Sequence, residues 1–143
     1  NAKLAELLDI DYEAGLDPFS EPSIAVKGRL KTPLSAEELA AKIEHVLNRK
    51  PLVESVRGKK IETIAWCTGG GQGYIDLAAE QGIDAYLTGE ASEQTIHSSR
   101  EQNIDFFAAG HHATERYGIK ALGEQLAKEY GFEVSFIDID NPV

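Results

Sequence analysis

The sequence lacks methionine, has a single cysteine and contains no long apolar run. Cys67 alone cannot form an internal disulfide, and no Cys/His cluster has zinc-finger spacing. Since no apolar run approaches about 18 residues, we expect neither a membrane span nor a secretory leader. These absences favour an intracellular protein that depends on its hydrophobic core, and we expect a cytoplasmic location.

Positive charge is also scarce in this chain. Its 143 residues hold 14 Lys and Arg against 24 Asp and Glu, a formal net charge of −10. Nucleic acids are bound by neutralising phosphates with Lys and Arg, so this balance disfavours a nucleic-acid partner. The length fits one domain. Because methionine is missing and Asn1 opens directly into a helical pattern, we expect a fragment or a processed chain.

Apolar periodicity and turn residues predict an alternation of helices and strands. A capping box of Ser35 and Glu38 opens one helix, and a polar stretch around residues 18–22 separates the first helix from the first strand. The predicted helices span residues 2–8, 36–48, 74–81, 92–102 and 111–130, and the predicted strands span residues 24–30, 51–56, 61–67, 83–88, 104–109 and 132–139. This order predicts an α/β fold with a mostly parallel or mixed sheet and helices on both faces.

Small and polar residues follow three of the predicted strands at the points where helices begin. They occupy residues 69–73, 88–90 and 110–111. The carboxyl ends of parallel strands meet at one edge of a sheet, and ligands of α/β proteins bind there. We therefore expect these three junctions to converge on one rim that holds the functional site.

The most informative pair at this rim is His111 and Glu115, four residues apart at the start of a predicted helix. At that spacing both side chains project from one face, and imidazole and carboxylate are ordinary ligands for zinc, manganese or iron. Two ligands do not complete a metal site. The alternative is structural: His111 caps the turn while the Glu115 carboxylate faces the positive end of the helix dipole.

The glycine-rich loop at residues 69–73 lies between a strand and a helix and leaves two interpretations open. Its backbone N–H groups could cradle an anion, or the loop could be a purely structural turn. It lacks the Gly-Lys-Ser/Thr ending of a nucleoside-triphosphate loop, and Asp76 stands where a dinucleotide fingerprint has Gly or Ala. Thr88 and Glu90 at the next junction are either pocket groups or part of a helix-initiating turn.

Other reactive side chains carry weaker signals. We expect His97 to be exposed or packed within its helix, and His112 to point about 100° away from its neighbour around the helix axis. Cys67 ends an apolar strand with no adjoining cation, so a buried, inert thiol is expected there. We expect Trp66 in the core.

Three segments, residues 65–76, 88–97 and 109–115, together resemble the C-terminal half of the Nif-three-like family, whose members are named as type 2 homologues of GTP cyclohydrolase I. The similarity is dense over residues 61–143 and looser back to Asn1. It implies that the chain is one of two similar α/β lobes of a subunit. Residues 1–60 would form the lobe-joining region with the first α/β elements, and residues 61–143 the C-terminal metal-binding region.

The resemblance also implies a dinuclear centre of divalent metal ions in a ring-shaped homohexamer. The family's Gly-His-x-x-x-Glu motif falls on Gly110, His111 and Glu115, so the last two inherit the role of metal ligands. The remaining family ligands, an adjacent His pair and an Asp, precede the region that begins at Asn1 and have no counterpart here. The two ions would be zinc, manganese, iron or magnesium.

Three functions compete at this stage. The first is a metal-dependent hydrolase acting on a nucleotide-like substrate, which the His111/Glu115 pair and the cyclohydrolase resemblance favour. The second is a non-enzymatic, metal-binding ring scaffold or adaptor, favoured by the lack of an obvious nucleophile or dedicated general base. The third is a nucleotide-binding module that uses the 69–73 loop without a metal.

Overall fold

The computed structural model describes residues 1–139 and 141–143. Among these residues lie five α-helices, one short 3-10 helix over Gln72–Tyr74 and six strands. In chain order they are α1 (Ala2–Leu8), β1 (Ile10–Gly15), β2 (Val26–Leu34), α2 (Ala36–Leu47), β3 (Leu52–Glu54), β4 (Ile61–Cys67), α3 (Ile75–Glu80), β5 (Ala85–Thr88), α4 (Glu93–Gln102), β6 (Asp105–Ala108) and α5 (His111–Tyr130). Over these described ranges, no helix combines the length and the apolar character needed to cross a membrane.

The strands form one mixed sheet in the order β1-β2-β4-β5-β6-β3. Its centre is parallel, because β4, β5 and β6 pair in the same direction, while β1, β2 and β3 join antiparallel. The central strands are buried along almost their whole length. This confirms the predicted α/β class with a mixed sheet, and strands from both sides of residue 60 belong to it.

Helices cover both faces of the sheet. Successive strand residues enter different cores: Trp66 and Phe107 pack with α1 and α2, whereas Cys67 and Phe106 pack with α3. Ala113 places α5 on the face of α1 and α2, while Ile96 places α4 on the opposite face. The connections that leave the neighbouring strands β5 and β6 therefore diverge to opposite faces, the kind of position at which α/β proteins bind ligands.

Local sequence signals account for most element boundaries. The Ser35 side chain accepts a hydrogen bond from the Glu38 backbone N–H at 3.2 Å, and the Glu38 carboxylate accepts one from the Ser35 N–H at 2.7 Å. This capping box starts α2 as predicted. The predicted bounds of α1, β4 and α5 agree with the structure residue for residue.

Strand β1 was not predicted. It alternates apolar and acidic residues, pairs with β2 and has one buried side chain, Ile10. An edge strand of this kind carries little hydrophobic signal, because most of its side chains remain in contact with water. Tertiary pairing with β2, more than its own composition, holds it in the sheet.

The strand predicted over residues 132–139 is wrong, because those residues form no strand. The segment runs back along α5 and is held by side-chain contacts. The Asp138 carboxylate contacts His112 and Arg116, and the Lys120 Nζ lies 5.9 Å from the centroid of the Phe136 ring. Alternating apolar residues predict a strand only where a neighbouring strand offers backbone partners. Here the apolar side chains stay largely exposed, among them Phe132, Val134, Ile137 and Ile139.

The contrast between core and C-terminal segment predicts unequal costs for two like substitutions. Phe107 is 0% exposed and Phe132 is 58% exposed. We expect Phe107→Ala to lower the free energy of unfolding by about 3–5 kcal/mol, because it leaves a cavity in the core. Phe132→Ala should cost about 1 kcal/mol or less, since it loses mainly a stacking contact with Tyr130. Urea denaturation of both variants measures the difference, and equal costs would show that residues 132–139 are covered in solution.

Candidate metal centre

The three strand-to-helix junctions meet through backbone hydrogen bonds, as the sequence predicts. The Gly89 N–H donates to the Gly69 carbonyl at 2.9 Å, and the Gly110 N–H donates to the Gly89 carbonyl at 2.9 Å. A Cβ at Gly89 would lie 2.7 Å from both the Gly69 carbonyl oxygen and the His111 Cα. The close approach of the three junctions therefore requires a glycine at position 89.

His111 and Glu115 lie side by side, one helical turn apart at the start of α5. His111 Nε2 is 3.1 Å from Glu115 Oε2. Ligand bonds of about 2.0–2.2 Å to one ion place neighbouring donor atoms roughly 3.0–3.4 Å apart. The observed separation and the pairing of imidazole with carboxylate fit two ligands of one divalent cation.

Glu90 contacts the other ring nitrogen of the same histidine. Its Oε1 lies 2.6 Å from His111 Nδ1. The hydrogen bond with His111 lowers the pKa of the Glu90 carboxyl, and the same bond raises the pKa of His111, with the charge of Glu115 acting in the same direction. His111 is thus held between two carboxylates, one at each ring nitrogen.

The glycine-rich loop is fixed by buried hydroxyl groups. The Thr114 Oγ1 accepts from the Gly69 N–H at 2.9 Å, and the Thr88 Oγ1 accepts from the Gly71 N–H at 3.1 Å. The Tyr86 hydroxyl donates to the Gly71 carbonyl at 2.6 Å. Two loop N–H groups are therefore already bonded within the protein, which favours the structural interpretation of the loop over an anion cradle.

Gly69 also provides the space that the His111/Glu115 pair occupies. Its φ is +69°, and a Cβ there would overlap Glu115 Oε1 and lie 3.0 Å from His111 Nε2. The first loop glycine is thus required both by its backbone conformation and by the carboxylate beside it. The loop forms one wall of the candidate site.

The other side chains singled out from the sequence do not join the His111/Glu115 pair. His97 is exposed on α4, and His112 points away from the pair, with its Nε2 2.8 Å from Asp138 Oδ1. Cys67 is buried, and burial raises the pKa of its thiol, while Trp66 is fully buried in the core. Each of these four side chains lies as the sequence suggests.

The described residues supply only part of a metal site. Within residues 1–139 and 141–143, no group of three or more His, Cys, Asp or Glu side chains is arranged to hold a metal ion. His111 and Glu115 therefore fit as two donors of a larger set, and a complete centre needs further donors from outside this part of the chain.

Sequence reasoning did not find all of the residues that build the site. It noted Glu90 as a rim group but not as the partner of His111, because 21 residues separate them. It missed Thr114 and Tyr86 altogether. The only signal for Thr114 was its position one turn into α5, where a threonine hydroxyl reaches back to the helix start; it donates to the Gly110 carbonyl at 2.9 Å.

The loop geometry predicts opposite outcomes for two Gly→Ala substitutions. Gly69→Ala should lower the free energy of unfolding by at least about 1–2 kcal/mol, because alanine is strained at positive φ and its methyl group meets Glu115. Gly73→Ala is the matched control, since no atom lies within 4 Å of a Cβ there. It should be neutral or slightly stabilising. Urea denaturation checks both; a neutral Gly69→Ala would contradict the described loop.

Comparison with known proteins supports the resemblance noted from the sequence. The family model Duf34/NIF3 (NGG1p interacting factor 3) matches residues 1–142. A Haemophilus influenzae protein named GTP cyclohydrolase 1 type 2 homolog is 63% identical over 99% of this chain, and its namesake from Vibrio cholerae is 57% identical over 100% of it. A solved structure of the protein ybgI, described as of unknown function, is 50% identical and superposes over the whole chain with a TM-score of 0.94.

The match is complete for this chain but partial for its relatives. The chain covers 57% of each of the two curated relatives and 56% of the solved ybgI chain. It thus spans little more than half the length of the proteins it matches. The predicted family resemblance is confirmed, and the chain belongs to the Duf34/NIF3 family.

Proposed function

We propose that His111 and Glu115 are metal ligands and that the chain contributes them to a dinuclear centre of divalent cations. One observation carries the proposal: His111 Nε2 and Glu115 Oε2 are 3.1 Å apart on one helical turn, in a space that the absence of a side chain at Gly69 leaves open. Zinc, manganese, iron and magnesium are the candidate ions. The proposal requires additional ligands from outside this chain's described residues.

We further propose that this centre serves a metal-dependent hydrolase of a nucleotide-like substrate. When bound, divalent ions supply Lewis acidity to a substrate oxygen and to an attacking water molecule. His111 and Glu115 would hold the ions by donating electron pairs to them, and the loop at residues 69–73 forms one wall of the site. The name shared by the relatives, GTP cyclohydrolase 1 type 2 homolog, supports a nucleotide as the substrate class.

The charge of the rim supports a role for cations in attracting such a substrate. Glu90 and Glu115 both face the site, and the chain as a whole carries a net charge of −10. Carboxylates repel a phosphate at short range, and the loop beside them has already used two of its N–H groups. The proposal therefore assigns phosphate attraction to bound cations, and it disfavours a metal-free nucleotide module.

A second candidate is a non-enzymatic metal-binding scaffold or adaptor, and the rim chemistry favours it. The Thr88 and Thr114 hydroxyls are bonded to loop backbone, and the Cys67 thiol is buried with a raised pKa. These nucleophile types are therefore engaged or shielded in the structure. Under both candidates the family resemblance leads us to propose a homohexameric ring in the cytoplasm.

Removal of either ligand should reduce metal content. We expect His111→Ala and Glu115→Gln each to lose about 1 or more equivalents of bound metal per chain, because a site with one ligand fewer binds its ion much more weakly. Elemental analysis of the intact purified protein measures this. His97→Ala is the matched control, since it removes an exposed histidine from α4. Full metal content in both ligand variants would refute the ligand assignment.

A measurement of turnover distinguishes the proposed hydrolase from the proposed non-enzymatic scaffold. The hydrolase proposal predicts that a panel of purine and pyrimidine nucleotides includes at least one that the metal-loaded protein hydrolyses, and that His111→Ala slows this reaction by about 100-fold or more. Chelation followed by return of the metal should abolish and restore the rate. A reproducible absence of turnover, in a preparation whose sedimentation shows an intact hexamer with full metal content, would instead support the scaffold.

A further inference from the structure

We infer that Glu90 is a positioning residue that holds the His111 ring in the orientation and the neutral tautomer suited to metal binding. The inference deepens the proposed function and rests on it, since it assigns to Glu90 the task of presenting His111 Nε2 to the ion. It also separates the roles of two carboxylates that sequence position alone does not distinguish: Glu115 as ligand and Glu90 as support.

The assignment follows from the two sides of the imidazole ring. Glu90 Oε1 lies 2.6 Å from Nδ1, and Glu115 Oε2 lies 3.1 Å from Nε2. A carboxylate only accepts hydrogen bonds, and the closer of the two carboxylates, Glu90, favours the proton of a neutral His111 on Nδ1. The lone pair of Nε2 then points toward Glu115, where the proposed ion would bind. Histidine ligands commonly donate their second N–H to such a carboxylate.

The Glu90 carboxylate is itself held by the glycine-rich loop, which follows β4. The Gln72 Nε2 amide donates to Glu90 Oε2 at 3.4 Å, so each oxygen of the carboxylate has a partner. A Cβ at Gly70 would lie 3.5 Å from this carboxylate, which shows how closely the glycine-rich loop covers it. Gln72 follows β4, Glu90 follows β5 and His111 follows β6. Each of the three junctions therefore contributes one residue to this series of hydrogen bonds.

Glu90 is not placed to be a third ligand of the same ion. It approaches Nδ1, on the far side of the ring from Glu115. The described residues accordingly contain no group of three donors around one point. Substitution of Glu90 should therefore weaken metal binding through His111 without removing a donor atom from the ion.

The test compares Glu90→Gln with Glu93→Gln in the intact protein. The glutamine at 90 keeps the size of the side chain, but its amide can donate to Nδ1 as well as accept from it. It therefore no longer excludes the proton from Nε2, where that proton blocks the metal. We expect its dissociation constant for Zn²⁺, measured by chelator competition, to rise about 10–100-fold. Glu93→Gln removes the same charge three residues away, beside the exposed His97, and should leave the dissociation constant unchanged.

A second measurement distinguishes positioning from a merely structural effect. In metal-free protein, at a pH where the imidazole is neutral, ¹⁵N NMR should show the His111 proton on Nδ1 in the unsubstituted chain. The population with the proton on Nε2 should grow in Glu90→Gln. Glu90→Asp, which retains the charge, should keep the Nδ1 proton and recover part of the zinc affinity. Matching thermal unfolding curves would show that the variants are folded.

The outcomes separate this inference from the proposed function. If His111→Ala loses zinc while Glu90→Gln binds it within about twofold of the unsubstituted protein, the ligand role stands and the positioning role is refuted. Weakened binding with no change in the ring proton also overturns the inference, because the loss is then structural. If His111→Ala retains zinc affinity, the proposed function itself fails.

Discussion

The candidate site depends on the backbone hydrogen bonds that join Gly69, Gly89 and Gly110. They continue the parallel pairing of β4, β5 and β6 past the ends of the strands, at 2.9 Å each. A side chain at Gly89 would meet both neighbouring segments, so only a bare backbone permits this contact. The glycine-rich loop, Glu90 and His111 each follow one of these three strands, so their positions follow from the sheet.

At this rim α4 and α5 diverge to opposite faces of the sheet. Glu90 leaves the end of β5 and His111 leaves the end of β6, so the two side chains meet where the chain paths separate. Two buried hydroxyl groups, those of Thr88 at the end of β5 and Thr114 on α5, hold the glycine-rich loop. Loop, carboxylate and imidazole are therefore placed by rigid elements, and their geometry requires little ordering when a ligand arrives.

The sequence predicted the parts whose signals are local. The capping box of α2, the buried run of β4 and the convergence of three strand ends all follow from nearby residues, and the structure confirms them. It failed where tertiary partners decide: β1 is an edge strand with one buried residue, and residues 132–139 alternate like a strand without forming one. The Glu90 contact with His111 is of the same kind, because pairing across 21 residues leaves no periodic trace.

The charges around His111 bear on why the site would favour a cation. Two carboxylates flank one imidazole, and the hydrogen bond with Glu90, together with the charge of Glu115, raises the pKa of His111. A proton on Nε2 and a metal ion at Nε2 compete for the same lone pair, whereas the proton that Nδ1 donates to Glu90 remains compatible with a bound metal. On the proposed function, a metal ion held by His111 and Glu115 would therefore leave the Glu90 contact intact. The same arrangement of one imidazole and two carboxylates thus favours a cation at one ring nitrogen and a retained proton at the other.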